Sequence, residues 1–232
     1  MPGALRSTRH LRQPSVAAVA STLAYYEAHA TEIAAQVNGL DTSELRSAFQ
    51  KHLPTRGHIL DAGCGTGRDA RAFLAHGFRV TCLDTSAEMA HQAELLTGQT
   101  VHVRPFDRIR WRDRFDGVWA CASLHHLPRA ALDPALRRLD SSLKPGGIFY
   151  ASFRYGDRDV ELDDGRFFSP QTERRFGKLA KRHPGLRLVD LWISEDARSE
   201  HCGEFWLNVL LRKRAARLGR SRATAARGKS SR

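Results

Sequence analysis

A glycine-rich turn in the first third of the chain constrains the fold more than any other feature. Residues 58–62 predict a short buried strand, and helical periodicity begins at Arg68, so the turn joins a strand to a helix. Glycine lets the backbone approach a ligand closely, and the free N–H groups of the helix face the same space. The turn therefore predicts a ligand site. It reads Leu60-Asp61-Ala62-Gly63-Cys64-Gly65-Thr66-Gly67.

The spacing of the glycines separates two kinds of ligand. A dinucleotide fingerprint places its third glycine five positions after its first, whereas Gly67 lies four positions after Gly63. Asp61 precedes the turn, and a carboxylate there repels a pyrophosphate but attracts an ammonium or sulfonium centre. The turn therefore favours a cationic amino-acid ligand over a dinucleotide.

Two helices are expected before this turn, and strands and helices alternate from the strand at 58–62 onward. Alternation of this kind requires parallel neighbours joined by right-handed crossovers, and the last two strands, with no helix between them, are expected to be antiparallel. The sequence predicts a doubly wound α/β fold with a mostly parallel seven-stranded sheet and an antiparallel last strand. Expected strands are residues 58–62, 78–83, 100–104, 115–122, 148–153, 186–194 and 205–211, and expected helices are 16–37, 42–52, 68–76, 86–96, 132–143 and 171–182.

Two further carboxylates follow neighbouring strands. Asp84 ends the second strand, where an acid accepts hydrogen bonds from ribose hydroxyls in doubly wound folds; the alternative is a helix cap. Thr85 and Glu88 stand at capping-box spacing. Asp107 follows the third strand beside Phe106, so an adenine amino group can bond to the acid while the ring packs on its face. A surface loop is the alternative for that pair.

These motifs, in this order, resemble those of class I S-adenosylmethionine-dependent methyltransferases, over roughly residues 25–153. The resemblance includes the run Leu143-Lys144-Pro145-Gly146-Gly147. It implies S-adenosyl-L-methionine as cofactor, with the glycines under its methionine part, Asp84 on the ribose and Asp107 on the adenine. Tyr26 is similar to an aromatic residue that closes over the cofactor, or else is a core aromatic. The expected cofactor-binding residues are Tyr26, Asp61, Gly63, Cys64, Gly65, Gly67, Arg68, Asp84, Thr85, Phe106 and Asp107.

A narrower resemblance, to bacterial methyltransferases related to the tellurite-resistance type, is carried by residues 67–70, 124–128 and 151–156. His125 and His126 follow the fourth strand, and either is a candidate general base, because imidazole titrates near neutral pH. Capping and packing are the alternatives for both. The expected acceptor wall consists of Arg154, Tyr155, Asp163, Asp164, Arg166, Phe168, Glu204, Trp206 and Asn208.

Charge is concentrated at one end. Of the net charge of +12, nine positive charges and no acid follow Glu204, which leaves +3 for the rest of the chain. We therefore expect a flexible extension at residues 1–15, a methyltransferase domain at 16–212 and a disordered basic tail at 213–232. The tail can bind nucleic acid, although solvation alone is favoured. Residues Asp116 to Ala122 lack the motifs of base methyltransferases.

The favoured function is methyl transfer to a small molecule. The alternatives are an RNA or protein methyltransferase docked through the tail, and a cofactor-binding module without turnover. Cys64, Cys82, Cys121 and Cys202 show no zinc spacing, so no metal is expected and free thiols suit a reducing cytoplasm. An organelle signal at the arginine-containing N-terminus is the alternative to a cytoplasmic location. No apolar run is long enough to span a membrane, and the sequence leaves the oligomeric state open.

Overall fold

The computed structural model describes residues 8–10, 16–198 and 203–215. Cys202, residues 216–232 of the basic tail, and residues 1–7 and 11–15 of the expected N-terminal extension lie outside the described residues. Within that extension, residues 8–10 form a short strand. Lys213, assigned to the tail from the sequence, ends the last strand, and its Nζ donates to Asp113 Oδ1 at 2.9 Å. The domain boundary expected between residues 212 and 213 therefore falls inside that strand, one residue before its end.

Every helix and strand expected from the sequence is present, with bounds that differ by a few residues. In chain order the elements are β1 (Thr8–His10), α1 (Val16–Val37), α2 (Ser43–Gln50), β2 (His58–Ala62), α3 (Arg68–Ala75), β3 (Arg79–Asp84), α4 (Ala87–Thr97), β4 (Val101–Val103), β5 (Phe115–Ala120), α5 (Arg129–Ser142), β6 (Leu143–Arg154), β7 (Val160–Leu162), β8 (Phe167–Phe168), α6 (Glu173–Ala180), β9 (Leu186–Glu195) and β10 (Phe205–Lys213). Two single 3₁₀ turns, Phe106–Arg108 and Leu124–His126, follow β4 and β5.

The main sheet has seven strands in the order β4-β3-β2-β5-β6-β10-β9. The first five are parallel, and β10 lies between β6 and β9, antiparallel to both. The expected fold class is therefore confirmed. The chain order reverses beside β2, so the carboxyl ends of β2, β3 and β5 face one crevice, where ligands bind in such sheets.

Helices cover both faces of this sheet, because side chains alternate between faces along each strand. In β2, Ile59 packs with Phe49, Phe73 and other residues of α2, α3 and α4. Leu60 points to the other face, toward α5 and α6. Trp119 and Tyr150 stack on the first face with ring centroids 4.0 Å apart, and both are fully buried.

A second, three-stranded sheet in the order β1-β7-β8 is not among the strands expected from the sequence. Two contacts hold it over the crevice: Phe167 N donates to Thr22 Oγ1 at 2.8 Å, and Ser169 N donates to the carbonyl oxygen of His125 at 2.6 Å. Strand β1 pairs with β7 across about 150 residues of chain, with Thr8 opposite Leu162. Local sequence patterns cannot predict the pairing of two strands that lie so far apart in the chain.

The expected capping box at Thr85 and Glu88 is wrong. Ser86 is the N-cap of α4, and its Oγ accepts from Met89 N at 3.1 Å. Asp84 orients this cap, because its Oδ1 accepts a hydrogen bond from Ser86 N at 3.0 Å.

Within the described segments, no helix combines the length and the apolar composition that crossing a bilayer requires.

Candidate functional site

The glycine turn lies between β2 and α3, and two of its glycines are required by their surroundings. All three have positive φ: 80° at Gly63, 54° at Gly65 and 82° at Gly67. A Cβ on Gly63 would stand 2.4 Å from Ser123 Cβ, and one on Gly67 would stand 3.0 Å from the Cα of Ala93. At Gly65 there is room for a Cβ, so only the left-handed backbone conformation favours glycine there.

Asp84 ties the turn to the start of α4. Its Oδ2 accepts from Gly65 N at 2.8 Å while its Oδ1 accepts from Ser86 N. Burial raises the pKa of Asp84, and the backbone N–H donors partly offset that effect. Each carboxylate oxygen can accept two hydrogen bonds, so both oxygens keep capacity for a ligand hydroxyl.

Asp61 is an uncompensated buried carboxylate beside the same turn. The residue is 3% exposed, and its Oδ2 has no hydrogen-bond partner among the described residues. Burial raises its pKa well above 3.8, and the nearby Cys82 thiol and Asp69 add to the effect. A buried charge without a partner is costly, so this position favours a cationic ligand group.

Arg68, an expected cofactor contact, is engaged by its neighbour. Its Nε and Nη2 donate to Asp69 Oδ1 and Oδ2 at 3.1 and 2.9 Å. Asp69 also accepts from Trp119 Nε1 at 3.0 Å and from Thr42 Oγ1 at 2.6 Å. Burial opposes ionisation of Asp69, but Arg68 and these donors lower its pKa overall. This network fixes the start of α3 against β5.

Two cavities open at the carboxyl ends of the strands. The first, of about 510 Å³, lies between the glycine turn, α1, α4 and α5. It brings together eight of the residues proposed from the sequence, of which Asp107 is exposed while the Phe106 ring is buried. These eight residues are Tyr26, Gly63, Gly65, Asp84, Thr85, Phe106, Asp107 and His126.

The second cavity, of about 470 Å³, adjoins the first and shares Tyr26, Gly63 and Gly65 with it. Its other expected residues are Asp61, Cys64, Arg68 and His125. Gly67 lines neither cavity; its close approach to Ala93 assigns it to packing between α3 and α4. Of the expected acceptor wall, this cavity includes Arg154, Arg166, Phe168, Trp206 and Asn208, and does not include Tyr155, Asp163, Asp164 or Glu204.

Several lining residues were missed by sequence reasoning. Val19, Thr22 and Leu23 of α1 line the first cavity, whereas the sequence predicts only a helix over these residues. Ser152, Asp196 and Arg198 line the second. Ser152 lies in the run 151–156 noted above without a role assigned to it, and no local motif marks the others, since the fold alone brings these segments to the crevice.

Hydrogen bonds fix the tautomers of the two histidines. His126 Nδ1 lies 2.9 Å from the carbonyl oxygen of Phe167, so this nitrogen carries a proton. Burial lowers the pKa of His126 to about 4, so the ring is neutral and its Nε2 is bare; it accepts from Tyr26 Oη at 2.9 Å. His125 Nε2 lies 3.1 Å from the same bare nitrogen, and we assign the His125 proton to Nε2 because two bare nitrogens at that distance would repel each other.

It follows that His125 Nδ1 holds an unprotonated lone pair. This atom is buried without a hydrogen-bond partner among the described residues, and His125 lines the second cavity. Burial, together with His126 and Arg154, lowers its pKa well below 6.5. Burial also raises the pKa of Tyr26 to about 12, which keeps its hydroxyl protonated at neutral pH.

Across the described parts of the chain, no three His, Cys, Asp or Glu side chains cluster closely enough to hold a metal ion.

Comparisons with known proteins agree with this architecture. Residues 59–147 match a family model described as a methyltransferase domain. A malonyl-[acyl-carrier protein] O-methyltransferase of Enterobacter lignolyticus is 32% identical over 119 residues, covering 50% of this chain and 47% of that protein. The chain spans about half the length of the curated relatives it matches.

Two solved structures share the fold. The 1,6-didemethyltoxoflavin-N1-methyltransferase of Burkholderia thailandensis, with its substrate and S-adenosylhomocysteine bound, has a TM-score of 0.76 at 24% identity, over 92% of this chain and 98% of that one. A TehB-like S-adenosylmethionine-dependent methyltransferase of Corynebacterium glutamicum has a TM-score of 0.62 at 20% identity, over 81% and 99%. At these identities the likeness is one of fold.

Proposed function

We propose that this chain is a class I S-adenosylmethionine-dependent methyltransferase and transfers a methyl group from S-adenosylmethionine to a small molecule. The observation that carries the proposal is the pair of adjoining cavities on either side of the glycine turn. One has the size and lining of a nucleoside site, and the other joins it beside an unpartnered carboxylate.

The residues present fit this cofactor. Asp84 would accept from the ribose hydroxyls, and Phe106 and Asp107 would contact the adenine, since all three line the first cavity. Asp61 would face the ammonium of the methionine part, which is the partner that its buried Oδ2 lacks. Tyr26 lines both cavities and would separate the cofactor from bulk water. Gly63, Gly65 and Cys64 would supply backbone contacts.

S-adenosylmethionine supplies a methyl group on a positively charged sulfur, already activated for displacement. The protein has to position the acceptor and exclude water. His125 is the residue that we propose as proton acceptor, because it lines the second cavity and its Nδ1 has no hydrogen-bond partner among the described residues, while both nitrogens of His126 are engaged. With so low a pKa, His125 takes up a proton only as the methyl bond forms and the acceptor proton becomes acidic.

The acceptor is proposed to be small because the second cavity is bounded by partly buried polar and aromatic side chains. The substrate bound to the Burkholderia enzyme is also a small molecule. The free thiols Cys64, Cys82 and Cys121 support a cytoplasmic site of action.

Isothermal titration with S-adenosylhomocysteine and with NADH tests the cofactor. We expect S-adenosylhomocysteine to bind and NADH not to bind; the reverse would replace this proposal with a dehydrogenase. Methyl transfer from labelled S-adenosylmethionine to a metabolite panel then tests turnover. Binding without transfer to any small molecule, protein or RNA would favour a non-catalytic module.

Truncation tests the role of the basic tail. The cut belongs after residue 215, since Lys213 is part of β10. Activity on a small acceptor at saturating concentration is expected to survive. Loss of activity together with loss of a steep salt dependence would favour an RNA methyltransferase instead.

A further inference from the structure

The wall of the second cavity beside β6 and β8 carries two arginines on one aromatic ring. Arg154 ends β6 and Arg166 precedes β8, and their Cζ atoms lie 4.5 and 5.8 Å from the ring centroid of Phe168. Arg166 also lies 4.4 Å above the Tyr25 ring. Their side chains are only 23% and 18% exposed. Both guanidiniums are partly desolvated, and a hydrogen bond from either to an anionic ligand group would be charge-assisted.

The acidic partners of Arg154 and Arg166 do not line the cavity. Glu204 pairs with Arg154 through Nη2 at 2.8 Å, and Asp164 binds the Nε and Nη2 edge of Arg166. The described lining residues include both arginines and neither acid. A guanidinium has five N–H donors in one plane, so an ion pair along one edge leaves geometry for an anion along another. Burial, Arg198 and Arg166 together lower the pKa of Arg154, against the effect of Glu204.

The other charged side chains that line this cavity, apart from Asp61, are ion-paired with one another or exposed to solvent. Asp196 is bound by Arg198 through two hydrogen bonds, of 2.9 and 2.6 Å, and accepts a third from Trp206 Nε1 at 2.9 Å. Glu195 is exposed to solvent. Beside the glycine turn, Asp61 Oδ2 has no hydrogen-bond partner among the described residues. The cavity therefore has a carboxylate at the glycine turn and two guanidiniums on the wall beside β6 and β8.

We infer that the methyl acceptor is a small, planar organic acid that binds as its anion, with the acidic group on Arg154 and Arg166. The inference rests on the proposed function and specifies its substrate class. We infer that the acceptor is planar from the position of Trp206. The planes of the Trp206 and His125 rings differ by 30°, and their centroids lie 5.2 Å apart. Trp206 Nε1 donates to Asp196, which fixes the ring. Such a flat wall suits a conjugated ring.

The transfer step needs no further reactant. A lone pair on a second atom of the acid forms the bond to the methyl carbon as the carbon–sulfur bond breaks, and the sulfur keeps that electron pair. Any proton on the accepting atom passes to His125 Nδ1 and then to water. The acidic group on the arginines only orients the acceptor and is unchanged by the reaction.

The inference is tested with pairs of acids and their isosteric amides on the full chain saturated with S-adenosylhomocysteine. Benzoate and benzamide, and nicotinate and nicotinamide, are titrated by ligand-observed NMR, which measures weak binding. We expect each acid to bind about fivefold more tightly than its amide, as roughly 1 kcal/mol of added interaction gives. Arg154→Gln and Arg166→Gln should each reduce that ratio below about twofold.

Two matched variants control for misfolding. Arg158→Gln alters an exposed arginine outside the cavity and should leave the ratio unchanged, and Arg166→Lys, which keeps the charge, should retain most of the preference. Equal binding of acids and amides to the saturated wild type would overturn the inference and leave the proposed function intact. A preference that survives both glutamine variants would also overturn it. Failure of S-adenosylhomocysteine to bind would overturn both.

Discussion

Replacement of Asp84 by Asn is the sharpest test of how the first cavity recognises a nucleoside. In the free protein the carboxylate already accepts from Gly65 N and Ser86 N, at 2.8 and 3.0 Å. The proposed complex adds ribose hydroxyls to the same oxygens. Asparagine keeps the shape and one acceptor oxygen but loses the charge and half of the accepting capacity.

The magnitude follows from the number and kind of bonds at stake. A hydrogen bond to a charged group contributes about 1.5–3 kcal/mol. Loss of one such bond to the ribose should raise the Kd for S-adenosylhomocysteine about 10- to 150-fold. Because burial raises the pKa of Asp84, and ribose donors favour the ionised form, wild-type affinity should also weaken as pH falls through that raised pKa.

Isothermal titration at pH 7.5 measures both Kd values, and Glu88→Gln is the matched control. Glu88 is an exposed carboxylate in the first turn of α4, four residues along, and does not line the cavity. Denaturant unfolding of each variant separates lost binding from lost stability. Equal Kd values for Asp84→Asn and Glu88→Gln, with both proteins folded, would refute the ribose contact.

Three further predictions concern the glycine turn and the acceptor cavity. Burial raises the pKa of Asp61 in the free protein, and a bound ammonium favours its ionised form. The affinity for S-adenosylhomocysteine should therefore weaken as pH falls through that raised pKa, and Asp61→Asn should abolish this part of the pH dependence, as titrations across pH would measure. Gly67→Ala should lower the free energy of unfolding by more than Gly146→Ala does. Both glycines have φ near 80°, where left-handed strain alone costs about 1–2 kcal/mol, but of the two only Gly67 has atoms 3.0 Å from the added Cβ. Equal losses of stability would contradict the packing role of Gly67. His125→Gln should slow methyl transfer about 100-fold with unchanged S-adenosylhomocysteine affinity, and an unchanged rate would exclude His125 as the proton acceptor.

The side of the site around the glycine turn could be predicted because its signals are local. Positive-φ glycines, an acid before the turn and an acid at the end of the next strand all lie within 24 residues, and each acts on backbone next to it. The same holds for the main sheet, where hydrophobic runs set each strand and intervening helices force parallel neighbours.

The acceptor side could be predicted only in part, because tertiary contacts decide it. The small sheet that carries Phe168 depends on pairing between β1 and β7, far apart in sequence. The distinction between His125 and His126 depends on Tyr26 and on the carbonyl of Phe167, neither of which is near them in the chain. The cap of α4 was misplaced by one residue for a subtler reason. Thr85 and Ser86 are both good cap residues, and the backbone geometry set by Asp84 chose between them.

A crystal structure of the full chain with S-adenosylhomocysteine would test the cofactor site most directly. We predict a ribose hydroxyl within about 2.6–3.2 Å of the Asp84 carboxylate, the adenine against Phe106, and the amino group at Asp61. A nucleoside bound outside these two cavities, or side chains filling them so that none can enter, would contradict the proposed site.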